Sequence, residues 1–119
     1  MPEQRPKVFI LEDEPAVAIV LEDMVSESGC DPAHSAGNLR DAQRVIDRGG
    51  FDCALIDINV GGERSFDLAR QLVARGTPFA FVTGYDASVV SEFGKVPVLQ
   101  KPYTQQQVQS LLSGLVGAF

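Results

Sequence analysis

Short apolar segments alternate along the chain with longer segments in which apolar residues recur every three or four positions. The short segments are typical of buried strands. A weaker candidate, residues 31–36, is interrupted by Pro32 and is expected at a sheet edge. With it, the pattern predicts five strands, at residues 7–11, 31–36, 51–56, 78–82 and 96–99.

The longer segments have the spacing of amphipathic helices, with a polar face and an apolar stripe. Asn38 and Thr104 are suited to N-caps, and Thr104 with Gln107 has the spacing of a capping box. The predicted helices cover residues 16–28, 39–48, 65–75, 87–93 and 105–119.

Regular alternation of strands and helices predicts one α/β domain over residues 1–119, with a parallel sheet covered by helices on both faces. For five strands the flavodoxin-like order 2-1-3-4-5 is the common solution. This order makes strands 1 and 3 neighbours and opens a crevice between them, at the carboxyl edge of the sheet.

Charge and composition exclude several classes of function. The net charge is −6 and the ten basic residues are scattered, which argues against direct nucleic-acid binding because phosphate neutralisation needs clustered cations. No apolar segment approaches the ~20 residues that span a bilayer, and no signal peptide is visible. The two cysteines lack metal-ligand spacing. We therefore expect a cytoplasmic protein with reduced thiols that contacts no membrane.

Carboxylates collect where two predicted strands end. In the segment FILEDEP, Glu12 and Asp13 follow the first strand, and Asp57 follows the third. Two unit charges ~4 Å apart at an effective dielectric of about 20 interact by about 4 kcal/mol, so such a cluster requires a cation. Ligation by oxygen alone favours Mg²⁺. We expect Glu14 to lie outside this cluster, at a helix start, where its negative charge interacts favourably with the helix dipole.

Two more polar residues follow strands at the same predicted edge, Thr83 and Lys101. A hydroxyl and an ammonium beside a metal-bound carboxylate predict a site for a phosphoryl group. The cations would neutralise its oxygens while a carboxylate oxygen attacks in line.

In these features the sequence resembles the receiver domains of bacterial two-component response regulators, over essentially its whole length. The matching features are the pair Glu12-Asp13, Asp57 after its hydrophobic strand, Thr83 in FVTGY, and Lys101-Pro102. The resemblance implies a signalling domain without substrate turnover. Asp57 would accept a phosphoryl group from a histidine kinase or a histidine phosphotransfer protein, and the change would pass to a downstream protein target.

The resemblance also implies residue roles. Asp13 and Asp57 would ligate Mg²⁺ directly, Glu12 would act through water, and the backbone carbonyl of Asn59 would complete the protein ligands. The phosphoryl oxygens would be contacted by Lys101 and Thr83, and the Lys101–Pro102 peptide would be cis.

The sequence departs from the usual receiver pattern at two places. Val98 stands where receivers carry a Tyr or Phe that rotates on phosphorylation, so Tyr85 or Tyr103 is an alternative carrier of the switch. The segment after Asp57 contains Gly61-Gly62, which predicts a loose loop. FVTGY resembles a subgroup named for a Phe-Ala-Thr-Gly-Gly/Tyr run, whose members are often stand-alone receivers. We expect a stand-alone receiver here, and a receiver that is part of a longer protein is the alternative.

Two other functions remain open. One is a small Mg²⁺-dependent phosphohydrolase, although haloacid-dehalogenase-like enzymes place an Asp-x-Asp pair after the first strand, which this chain lacks. The other is a binding module that uses the receiver fold without phosphorylation. The missing aromatic at Val98 keeps this alternative open, although the intact set of Asp13, Asp57, Thr83 and Lys101 speaks against it.

Overall fold

A computed structural model of the protein describes residues 5–84 and 92–117. Its main sheet is parallel, with the order β2-β1-β3-β6-β7, which confirms the predicted order 2-1-3-4-5 once the strands of this sheet alone are counted. Within the described ranges, no helix is long and apolar enough to cross a bilayer. The elements are β1 (Lys7–Leu11), α1 (Pro15–Glu27), β2 (Asp31–Ala36), α2 (Leu39–Arg48), β3 (Cys53–Asp57), β4 (Asn59–Val60), β5 (Glu63–Arg64), α3 (Phe66–Arg75), β6 (Phe79–Thr83), β7 (Val98–Gln100) and α4 (Gln105–Val116).

The sheet buries both of its faces, because side chains alternate along each strand. From β1, Phe9 joins a core with Ile46 of α2 and Leu72 of α3. The next residue, Ile10, joins a second core with residues of α1 and α4, including Leu112. Helices therefore cover both faces, as the alternation predicted.

The predicted caps of two helices are confirmed. The Asn38 side chain accepts a hydrogen bond from the Asp41 amide at 2.8 Å, and Thr104 and Gln107 form the complete capping box of α4. Of the predicted helix 87–93, residues 87–91 lie outside the described residues.

The segment after Asp57 corrects the expectation of a loose loop. Asn59 pairs with Arg64 and Val60 with Glu63, which makes β4 and β5 a two-stranded antiparallel hairpin. Gly61 and Gly62 form its turn with φ values of 59° and 83°. Two consecutive positive φ values suit a tight two-residue hairpin turn, and glycine adopts them without a steric cost.

Candidate functional site

The carboxylates predicted to meet at the sheet edge lie together. Leu11 of β1 pairs with Ile56 of β3, so the next residue of each strand, Glu12 and Asp57, reaches the same edge. Glu12 is 3% exposed and Asp57 7%, whereas Asp13 is exposed. One oxygen of each of these three carboxylates lies within 4.8 Å of the others.

Lys101 joins this cluster from the end of β7. Its Nζ lies 3.0 Å from Oε1 of Glu12 and 3.3 Å from Oδ2 of Asp57. The Lys101 amide donates to the carbonyl oxygen of Thr83 at 2.8 Å, and the Lys101–Pro102 peptide is cis. The ammonium therefore bridges two nearly buried carboxylates, which belong to residues 89 and 44 positions earlier in the chain.

Thr83 is the last residue of β6 and is 1% exposed. Asp57 pairs with Val82, which puts Thr83 one position further toward the carboxyl edge. The sequence pattern predicts that Asp57 and Thr83 lie just after their strands. In the structure each is the terminal strand residue, because pairing with the neighbouring strand extends to that position.

The hairpin that begins at Asn59 contacts the acidic cluster through its turn. The Gly61 amide donates to Oδ2 of Asp13 at 2.9 Å. Asn59, whose carbonyl is the expected metal ligand, is the first residue of β4 and lies two positions beyond Asp57. The segment expected to be loose is thus ordered against an expected metal ligand.

Sequence reasoning missed one residue of this site. The sequence predicts only that Ser65 starts a helix, yet Ser65 is 0% exposed, and its Oγ donates to the carbonyl oxygen of Asp57 at 2.6 Å. The residue type alone gives no signal of this contact, because serine is common before helices.

The electrostatics of the cluster reflect its burial. Burial and the neighbouring charge of Glu12 raise the pKa of Asp57 to about 6. The hydrogen bond from the Gly61 amide lowers the pKa of Asp13. Burial alone would lower the pKa of Lys101, but its hydrogen bond with Glu12 and the charge of Asp57 outweigh this and raise it. All three pKa shifts have local causes, namely burial and contacts with other members of the cluster or with the Gly61 amide.

The donor set fits a hard divalent cation. Three carboxylates lie together and one ammonium contacts two of them, so the ionised cluster retains an excess of negative charge. Among the described residues this group consists of oxygen donors only, with no imidazole or thiolate in it, and such a donor set is the preference of Mg²⁺. Elsewhere, Cys30 and Cys53 are buried free thiols, and burial raises the pKa of Cys53 to about 12.

The position of the missing aromatic is filled by a partly buried valine. Val98 pairs with Phe81 and packs against the core beneath α2 and α3. Tyr103 is half-buried against the opposite core, and Tyr85 lies outside the described residues. The ring of Phe81, the pairing partner of Val98, has its centroid 5.1 Å from that of Phe93.

Comparison with known proteins agrees with this geometry. Residues 8–113 match the family model of the response regulator receiver domain. The sensory transduction protein LytR of Streptococcus agalactiae is 31% identical over 90% of this chain and 46% of its own length, so the chain spans about half of that relative.

Solved structures give the same result. SdrG from Sphingomonas melonis is 40% identical, with a TM-score of 0.82 and coverage of 93% of this chain and 96% of that one. The receiver domain of a Pseudomonas aeruginosa sensor histidine kinase, with a magnesium ion coordinated in its active site cleft, shares the fold at 20% identity, with a TM-score of 0.82 and coverage of 97% and 100%. From the family match and the arrangement of the sheet, the chain belongs to the response regulator receiver domains of two-component signalling systems.

Proposed function

We propose that this receiver accepts a phosphoryl group on Asp57 in a Mg²⁺-dependent reaction. The donor is a phosphorylated histidine of a histidine kinase or of a histidine phosphotransfer protein. The observation that carries the proposal is the bridge of the Lys101 ammonium between Glu12 and Asp57 at the carboxyl edge of the sheet.

Asp57 is suited to act as the nucleophile. With a pKa of about 6, its carboxylate is mostly ionised at pH 7 and above. One carboxylate oxygen attacks phosphorus in line, the P–N bond to the donor imidazole breaks, and its electron pair stays on the imidazole nitrogen. The product is an aspartyl phosphate.

Two side chains of this chain would hold the transferred group. The Lys101 ammonium already lies 3.3 Å from the Asp57 carboxylate and would pair with a phosphoryl oxygen. The Thr83 hydroxyl, at the adjacent strand end, would donate a hydrogen bond to another. Fixed positive charge and donors in a partly dehydrated site are the main source of catalysis in phosphoryl transfer.

The metal-binding residues would be Asp13 and Asp57 directly, Glu12 through water, and the backbone carbonyl of Asn59. When bound, Mg²⁺ neutralises phosphoryl oxygens and the excess charge of the carboxylates. The oxygen donors of the three carboxylates support this assignment, and the receiver domain from Pseudomonas aeruginosa has a magnesium ion coordinated in its active site cleft.

The signal would pass to a downstream protein through the β7 region. Lys101 follows β7 directly and precedes α4, so a change of its partners from Glu12 and Asp57 to a phosphoryl group acts on both elements. A switch of this kind shifts the population of two conformations by the difference in their interactions.

The direct test is incubation with acetyl phosphate and Mg²⁺ followed by intact mass. The wild-type protein should gain the mass of one phosphoryl group, and the Asp57→Asn variant should gain none. Asp52→Asn is a matched control, since Asp52 lies just before the opposite end of β3 and asparagine retains the oxygen that accepts from the Lys7 amide.

Other results would contradict the proposal. An adduct that persists in Asp57→Asn would place the acceptor elsewhere. Continuous release of phosphate from simple phosphate esters would indicate a phosphohydrolase. A wild-type protein that forms no adduct yet binds its protein target would indicate a binding module.

A further inference from the structure

Ser65 occupies the N-cap position of α3 but does not cap it. At the other two N-caps described above, Asn38 and Thr104, the side chain accepts a hydrogen bond from the helix backbone. Ser65 makes no such bond, because its hydroxyl instead donates backward to the carbonyl oxygen of Asp57 at 2.6 Å. A residue type that commonly stabilises a helix start is here used on the backbone of the proposed phosphoacceptor.

Ser65 also closes the hairpin that follows Asp57. Its amide donates to the carbonyl oxygen of Ile58 at 2.9 Å, so two consecutive carbonyls, those of Asp57 and Ile58, are held by one residue. The hairpin Asn59–Arg64 lies between these contacts and is itself paired across its two strands. Both ends of the segment are therefore fixed at Ser65.

The turn of this hairpin reaches the acidic cluster. The Gly61 amide donates to Oδ2 of Asp13, and Val60, 2% exposed, anchors the hairpin in the core. A carboxylate oxygen has more than one acceptor site, so this bond orients Asp13 without using all its capacity. A continuous set of contacts thus joins Asp57, Ser65, Gly61 and Asp13.

We propose that Ser65 is a positioning residue for metal binding and phosphoryl acceptance. Its buried hydroxyl fixes the backbone of Asp57 and, through the hairpin that it closes, the orientation of Asp13 and the place of the Asn59 carbonyl. The inference rests on the proposed function for its chemistry and on the Ser65 contacts for its geometry. Groups that orient metal ligands typically change metal affinity by about 10- to 100-fold when removed.

The test compares three variants with the wild-type protein. Ser65→Ala removes the hydroxyl, Ser65→Thr retains one, and Asn38→Ala removes a true helix cap far from the hairpin in sequence. In a titration followed by NMR, Ser65→Ala should bind Mg²⁺ about tenfold more weakly. Asn38→Ala should bind it like the wild-type protein despite the loss of a cap, and Ser65→Thr should recover most of the affinity.

Two further measurements separate positioning from stability. In the metal-free wild-type protein, the Gly61 amide should be protected from hydrogen exchange by its bond to Asp13. In Ser65→Ala this protection should fall about tenfold more than the protection of amides that exchange only through global unfolding. The rate of acetyl phosphate uptake at saturating Mg²⁺ should also fall in Ser65→Ala and recover in Ser65→Thr.

The inference is wrong if Ser65→Ala matches Asn38→Ala in Mg²⁺ affinity and uptake rate. Should Ser65→Ala not fold, a Gly61 amide that exchanges as fast as an unstructured amide in the wild-type protein would equally overturn it. Failure of the proposed function looks different, because the wild-type protein would then take up no phosphoryl group. The Mg²⁺ titration and the Gly61 exchange would still decide the role of Ser65.

Discussion

The interior of the sheet is buried to nearly the same degree as Asp57 at its carboxyl edge, but the two regions differ in chemistry: the interior is apolar and the edge is charged. In β3, Ala54, Leu55 and Ile56 are fully buried among apolar neighbours. The next residue, Asp57, is 7% exposed and lies among carboxylates and an ammonium. One step along a strand therefore separates burial that stabilises the fold from burial that costs stability.

The difference shows how the fold provides function. Apolar burial in the interior contributes free energy of folding in proportion to area. At the edge, ionised groups lose hydration and are only partly compensated by Lys101, which is why the pKa of Asp57 rises. The interior stabilises the chain enough to hold an unfavourable cluster in one place, ready for a cation and a phosphoryl group.

Truncating a core side chain should change the free energy of unfolding the most. Phe81 is fully buried, and its ring lies 5.4 Å from Phe79 and 5.1 Å from Phe93. Phe81→Ala should lower the free energy of unfolding by about 3–5 kcal/mol. Urea denaturation at pH 5 and pH 8 should give the same loss, since no charge is involved. A loss that depends strongly on pH would mean that the interior and the edge are not energetically distinct.

Removing the negative charge of Asp57 should raise the stability of the folded protein, whereas truncating a core side chain lowers it. The folded protein holds the Asp57 proton up to about pH 6, whereas the unfolded chain releases it near 3.8. The contribution of Asp57 to wild-type stability therefore falls as pH rises through this window. A pKa raised from 3.8 to about 6 corresponds to about 3 kcal/mol, so Asp57→Asn should be more stable than wild type by up to about that amount at pH 8.

The same variant should show little gain at pH 4, where Asp57 is protonated in the folded protein. Urea denaturation across this range, with Asp52→Asn as the control, measures the effect. Equal stability of Asp57→Asn and wild type at pH 8 would show that Lys101 fully compensates the buried charge.

Adding Mg²⁺ should stabilise the carboxyl edge of the sheet without acting on the apolar interior. At a Mg²⁺ concentration tenfold above the dissociation constant, mass action adds about 1.4 kcal/mol to the stability of the folded state. The melting temperature should rise by several degrees in MgCl₂ but not in KCl of equal ionic strength. Asp13→Asn should lose most of the rise. An equal rise in KCl would mean that simple screening, not a site, relieves the repulsion.

An exposed ion pair should have the smallest effect. Arg70 and Glu92 lie 3.2 Å apart with both side chains 54% exposed. Solvent screens such a pair, so Arg70→Ala should change the unfolding free energy by about 1 kcal/mol or less. The change should shrink further at high salt in the same urea assay. A larger cost would show that position in the fold does not separate strong from weak charge interactions here.

Much of the fold could be predicted from local pattern. The strand at Lys7–Leu11, the helix at Leu39–Arg48 and the capping box at Thr104 follow from apolar runs, 3.6-residue periodicity and cap chemistry. At Gly61–Gly62 the sequence predicts a loose loop, but the structure has a hairpin turn. Paired glycines suit both a flexible loop and a tight hairpin turn, and the choice depends on partners such as Asp13 that lie far away in the sequence.

The sequence by itself determined the element order, the parallel sheet and the polar residues that end its strands, because hydrophobic periodicity and caps act over a few positions. Only the tertiary structure decided that Lys101 bridges Glu12 and Asp57 and that Ser65 holds the carbonyl of Asp57 rather than capping its helix. These contacts join residues 8 to 89 positions apart. Their geometry is set by strand pairing and packing of the whole domain, which no local pattern encodes.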